Sequence, residues 1–175
     1  MKKLRQSWLN LDHTVLHAAP LVWQDWLSNP HSLTQLIADK TQSTVTVEVL
    51  SDCRQSLLAD EATLFGNSIH RCRIREVYLC VNDVPVVFAR SVLPTSSSTG
   101  VNRDVLQLGS KPLGEVLFKK GKAPILLREI TEIPGLGWGR RSLYQLRGHP
   151  ILISEFFLPE LLDQMKQRSN QVKRK

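Results

Sequence analysis

The chain has 175 residues, 42% of them hydrophobic, with 23 Lys and Arg against 16 Asp and Glu, for a formal net charge of +7. That length suits one domain over 1–175 with a sizeable core, and no apolar run is long enough to span a bilayer. The charge does not indicate a nucleic-acid partner: eight of the 23 cations (Lys2, Lys3, Arg5, Lys166, Arg168, Lys173, Arg174 and Lys175) sit at the two ends, leaving 15 against 16 acidic residues.

The start, MKKLRQSWLNLD, has basic residues but no continuous apolar stretch, so it does not read as a secretion signal. Helical spacing begins at PLVWQDWLS, where Pro20 suits a first turn and Trp23, Trp26 and Leu27 share a stripe. Asn29-Pro30 interrupts it, and Ser32 with Gln35 resembles a capping box opening a second short helix, SLTQLIADK. The period then changes to two. STVTVEVLSDC sets Val45, Val47 and Val49 against Thr44, Thr46 and Glu48, a half-buried strand.

Residues 59–67 read as a short helix or lid. A strand over about 70–81 turns at Asn82-Asp83 into VPVVFARSVLP, its hairpin partner. PTSSSTG reads as a loop. A second helical block follows: Asn102 could cap NRDVLQL, and Pro112 could open PLGEVLFKK, ended by Gly121. Three more strands, APILLREITEI, RRSLYQLRG and PILISEFFLP, are joined by short connections that favour antiparallel pairing. ELLDQMKQ reads as a last helix, with 164–175 a basic, flexible tail. The predicted class is α+β: a roughly six-stranded antiparallel sheet with two helical blocks.

Cys53, Cys72 and Cys80 show no CxxC spacing, and an odd count makes a poor disulfide framework. They read as small hydrophobes in a cytoplasmic protein. No His or Cys cluster has metal-ligand spacing. GLGWGRRS lacks the ending and the strand–turn–helix setting of a phosphate loop; its glycines read as hairpin residues, with Arg140 and Arg141 capping a strand start.

Two charges sit where a sheet protein should be apolar. Glu155 shares a strand face with Ile151, Ile153 and Phe157, and Arg75 shares one with Val77 and Leu79. A buried charge is costly unless paired, hydrogen-bonded or neutralised. A guanidinium fork suits a carboxylate or phosphate, and a carboxyl between burial and a nearby cation suits proton transfer. The plain alternative is that Arg75 and Glu155 form a structural ion pair, and pattern alone favours it. Arg90, beyond the hairpin, makes a diffuse anion site with Arg75 if both project from one face; an edge-exposed arginine is the equal alternative.

IREVYLCVNDVPVVFARSVLP, LQLGSKPLGEVLF and GWGRRSLYQLRGHPILISEFFLP together resemble, in order and spacing, the chorismate pyruvate-lyase family over roughly residues 20–160. The resemblance implies conversion of chorismate to 4-hydroxybenzoate and pyruvate, the first committed step towards ubiquinone, with no metal or organic cofactor. It implies helical flaps closing over a buried ligand; a monomer is a separate expectation. By position, Arg75 matches the ligand-carboxylate arginine and Glu155 the acid near the ligand hydroxyl, able to protonate the departing ether. Leu113 and Leu33 match flap positions that bind through backbone N–H, and Arg90 matches a further arginine on the next strand, expected to bind the substrate by helping its second carboxylate. Leu33 stands where methionine is usual, and Ala89 where glycine is frequent. The competing expectation is a non-catalytic effector-binding domain like those of some transcription regulators; keeping both Arg75 and Glu155 favours the enzyme.

Overall fold

A computed structural model describes residues 7–66, 71–95, 108–109, 111–118 and 123–172. In chain order the elements are β1 (Leu9–Asn10), α1 (His13–Ala18), α2 (Leu21–Ser28), α3 (Leu33–Thr41), β2 (Val45–Ser56), α4 (Ala59–Leu64), β3 (Arg71–Val81), β4 (Val84–Pro94), α5 (Gly114–Phe118), β5 (Ile125–Ile133), β6 (Gly137–Leu146), β7 (His149–Phe157) and α6 (Glu160–Val172). The alternating segments form one antiparallel sheet in the order β1-β5-β6-β7-β4-β3-β2.

The α+β class holds. The sheet has seven strands rather than about six because β1, two residues pairing with β5, is too short to carry a period. The helix α1 was likewise not legible as a periodic stripe; it is held by the Asp12 side chain, which accepts from Val15 N–H at 2.8 Å. The helix expected over NRDVLQL, the serine-rich loop beyond residue 95 and the helix end at Gly121 lie outside the described residues.

Two tight turns set the strand registers. Asn82 and Asp83 have φ of 50° and 63°, and Arg147 and Gly148 have 48° and 85°. Positive φ at both central residues is the turn that matches strand twist in a two-residue hairpin. Ser32 caps α3 by accepting from Gln35 N–H at 3.3 Å. The Gln35 side chain reaches forward to Asp39 rather than back, so only half of the expected capping box forms.

Trp23, Trp26 and Leu27 of α2, Leu33 and Ile37 of α3, and Leu161 of α6 pack on Val77, Leu79, Ala89 and Phe157. A second cluster joins Leu113 and Leu117 of the α5 region to Tyr144, Ile151 and Ile153. A third lies under α4 around Cys72, Ile74, Val92 and Leu152. Beyond Leu161, Gln164 is also buried and accepts from Asn82 Nδ2 at 3.0 Å. No helix among the described residues is long and apolar enough to cross a membrane.

Candidate active site

Strand register builds a pocket in the seam between the first two clusters. On β3, Arg75 lies between Asp52 of β2 and Ser91 of β4. On β7, Glu155 lies between Ala89 of β4 and Arg140 of β6. Arg75 and Glu155 line the same pocket but stand two strands apart, roughly 10 Å across the sheet. The small side chains of Ala89 and Ser91 lie on the strand between them, with Val77 and Ile153 beside them on the floor. The ion pair that pattern favoured for Arg75 and Glu155 does not form; each has its own partner.

Arg75 is 3% exposed. Its Nη1 donates to Asp52 Oδ2 at 3.2 Å, and its Nη2 donates to the carbonyls of Gly109 at 2.7 Å and Lys111 at 3.2 Å. The arginine therefore ties the segment before α5 to the sheet. Asp52 reaches it through a bulge between Val49 and Ser51, which shifts the β2 register by one and turns Asp52 to the pocket face. Burial pushes the Asp52 carboxyl up, but hydrogen bonds and charge from Arg73 and Arg75 outweigh it and hold the group below its usual value.

At the other end, Glu155 Oε2 accepts from Arg140 Nε at 2.6 Å, with the glutamate side chain 13% exposed. Arg140 is 1% exposed, and its Nη1 donates at 2.8 Å to the carbonyls of both Trp26 and Asn29, at the end of α2. Arg128 Nη1 donates to the same Asn29 carbonyl at 2.6 Å, while its Nη2 donates to Tyr144 Oη at 3.3 Å. Burial, then the charge of Arg140, pushes the Arg128 guanidinium below its usual value. Burial, then the charge of Glu155, pushes the Tyr144 phenol up.

Leu33, at the first turn of α3, and Leu113, just before α5, both line the pocket. First-turn N–H groups have no acceptor within their own helix. A Cβ added to Gly114 would lie 3.4 Å from Ser32 Oγ, so the starts of α3 and α5 meet over the site. His31 and Tyr144 complete the polar wall of a space of about 560 Å³, its open mouth included. Among the described residues no group of three or more His, Cys, Asp or Glu could hold a metal ion.

Arg90 is not part of this pocket. It lies on the opposite sheet face, where Nε and Nη2 donate to Glu61 at 2.7 and 3.1 Å and Nη1 donates to Glu76 at 2.7 Å. Glu61, 3% exposed, also accepts from Leu58 N–H at the start of α4. The shared anion site expected of Arg75 and Arg90 is absent because a bulge between Leu79 and Cys80 shifts the hairpin by one residue, placing Glu76 rather than Arg75 opposite Arg90.

Asp52, Arg128, Arg140 and Tyr144 were not singled out from the sequence. Arg140 does not cap a strand start; it sits within β6, facing Glu155. The tight turn at Arg147-Gly148 held the signal, since a regular two-residue hairpin pairs positions symmetrically about its turn and so sets position 140 opposite 155. The assembled site offers an anchored cation at one end, a carboxylate–guanidinium pair at the other and apolar walls between, an arrangement for a small ring with an anionic group at one end and a hydroxyl at the other.

The family model described as chorismate lyase matches residues 4–167. A probable chorismate pyruvate-lyase from Alcanivorax borkumensis is 35% identical over 167 residues, covering 90% of this chain and 78% of the relative. A chorismate pyruvate-lyase from Photorhabdus laumondii is 33% identical over 165 residues, covering 88% and 89%. Another, from Erwinia tasmaniensis, is 34% identical over 155 residues, covering 87% and 86%.

Proposed function

The chain belongs to the chorismate lyase family, and on that premise we propose that it cleaves chorismate to 4-hydroxybenzoate and pyruvate, the carbon–oxygen lyase reaction that opens ubiquinone biosynthesis. The observation that carries this reading is the separation of Arg75 and Glu155 across one pocket floored by Ala89 and Ser91. A six-membered ring spans that gap, with its carboxylate on Arg75 and its hydroxyl towards Glu155. The N–H groups of Leu33 and Leu113 close on the ligand from above.

Aromatisation supplies the driving force, so the protein has mainly to orient the ring and move one proton. The ring carbon bearing the hydroxyl loses its proton, that C–H pair becomes the new ring double bond, and the bond from the neighbouring carbon to the ether oxygen breaks towards oxygen. Glu155 enters as the ion-paired carboxylate, with Oε2 on Arg140 and Oε1 left for the substrate. It takes the ring proton and returns it to the departing oxygen, acting as base and then as general acid. Enolpyruvate then tautomerises to pyruvate. Arg140 holds the carboxylate in place through both steps, and the meeting of α3 and α5 covers one side of the ring.

An effector-binding domain is not favoured, given relatives named as lyases that cover most of the chain. Free Cys53, Cys72 and Cys80 support a reducing, cytoplasmic setting. Arg90 is left without a role in ligand binding, and the enzyme works as a monomer. Purified protein mixed with chorismate tests the reading: 4-hydroxybenzoate and pyruvate should appear in equal amounts, and their absence would overturn it.

A further inference from the structure

Chorismate carries two carboxylates, one on the ring and one on the enolpyruvyl side chain, whereas 4-hydroxybenzoate carries only the first. Among the described residues lining the pocket the cationic candidates are Arg75, Arg140 and His31. Arg75 serves the ring carboxylate. Arg140 is committed to Glu155 and to the carbonyls of Trp26 and Asn29, and its charge is offset by the glutamate it touches. That leaves the second carboxylate of a dianion with one uncommitted partner, His31, whose ring makes no hydrogen bond among the described residues.

The position of His31 is built rather than incidental. Its N–H donates to Asn29 Oδ1 at 3.2 Å, and its carbonyl accepts from Asn29 Nδ2 at 3.3 Å. The Asn29 carbonyl in turn accepts from both Arg140 and Arg128. The turn carrying His31 is therefore fixed to the sheet through the arginine that holds Glu155. The imidazole lies at the pocket wall while remaining exposed to solvent on its outer side.

Resting on the chorismate reading, we propose that His31 binds the enolpyruvyl carboxylate and so distinguishes substrate from product. Once the side chain leaves as pyruvate, 4-hydroxybenzoate has no group for His31, and this contact no longer opposes product release. The test compares the KM for chorismate with the inhibition constant of 4-hydroxybenzoate in wild type, His31→Ala and His31→Lys. His31→Ala should raise KM about tenfold, the loss of one charge-assisted hydrogen bond, while the inhibition constant stays put. His31→Lys should restore KM. Unchanged KM in His31→Ala, a parallel rise in both constants, or a rise that lysine does not reverse would each overturn the proposal. Failure of the wild type to consume chorismate would instead sink the functional reading on which it rests.

Discussion

Arg140 and Glu155 face each other on neighbouring strands, and the same guanidinium that holds the carboxylate also holds the end of α2. One buried cation therefore sets both the Glu155 carboxylate and the turn that leads to Leu33. Desolvating such a pair is costly, and its geometry, with two backbone carbonyls completing the arginine's bonding, is what offsets the cost. The sheet end of the site and its helical cover are one unit.

Glu155→Gln should keep the fold, because an amide oxygen still accepts from Arg140. It removes the proton carrier, so kcat for chorismate cleavage should fall on the order of 100-fold or more, with a smaller change in KM. Coupled detection of pyruvate checks this, with thermal unfolding as the control. A variant retaining near-normal turnover would refute the role assigned to Glu155.

Arg140→Met leaves the largely buried Glu155 without its cation and the Trp26 carbonyl without its side-chain donor, while the Asn29 carbonyl keeps Arg128. The expected loss is about 3–5 kcal/mol of stability, the usual cost of stranding one partner of a buried pair. Arg140→Met combined with Glu155→Leu should recover much of that stability in denaturant titrations while remaining inactive. If the double variant is no more stable than the single one, the loss comes from the freed Trp26 carbonyl instead.

Arg75→Lys should raise the KM for chorismate and weaken 4-hydroxybenzoate binding in parallel, since both ligands carry the ring carboxylate. An ammonium cannot reproduce a fork that serves Asp52, Gly109 and Lys111 together and still meets a ligand. Binding of 4-hydroxybenzoate measured by calorimetry reads this directly. Retained affinity would move the carboxylate anchor elsewhere.

The regular hairpins were legible in the sequence, and the irregular ones explain what was not. Asn82-Asp83 announced its turn, but no residue pattern announced the bulge between Leu79 and Cys80 that turns Arg90 away from Arg75. The bulge between Val49 and Ser51 likewise hid Asp52, whose alternation with Val49 breaks where the register shifts. Arg75 and Glu155 stood out because a charge on an apolar strand face is conspicuous. Arg140 did not, because its neighbours Gly139 and Arg141 made the segment look like a turn, although a Cβ at Gly139 would fall 2.5 Å from the Phe156 ring across the strand pair. Glycine there reflects close strand packing rather than a loop.

Asp52 gives the site an acid-sensitive support. Its folded value lies below the usual one of 3.8, so its ion pairs contribute stability in full above the unfolded value of about 3.9 and lose it as pH falls through the folded value. Asp52→Asn should be less stable than wild type at neutral pH, and the gap should close on acidification below about pH 4. Denaturation midpoints of both proteins across that range measure it. A gap that stays constant with pH would show that the Asp52 charge is not what supports Arg73 and Arg75.

Arg90 offers the sharpest separation of structure from chemistry. It is partly buried between Glu61 and Glu76 on the face away from the pocket, where burial would lower its affinity for a proton but the two carboxylates outweigh that and raise it. Arg90→Met should strand Glu61, which is almost fully buried, and cost about 3–5 kcal/mol of stability. Where the variant is folded, its KM for chorismate should match wild type, because no ligand group reaches that face. Pairing Arg90→Met with Glu61→Gln should return part of the stability and keep the same KM. A raised KM in the folded double variant would mean that the opposite face of the sheet does communicate with the pocket, through Ala89 and Ser91 on either side of Arg90.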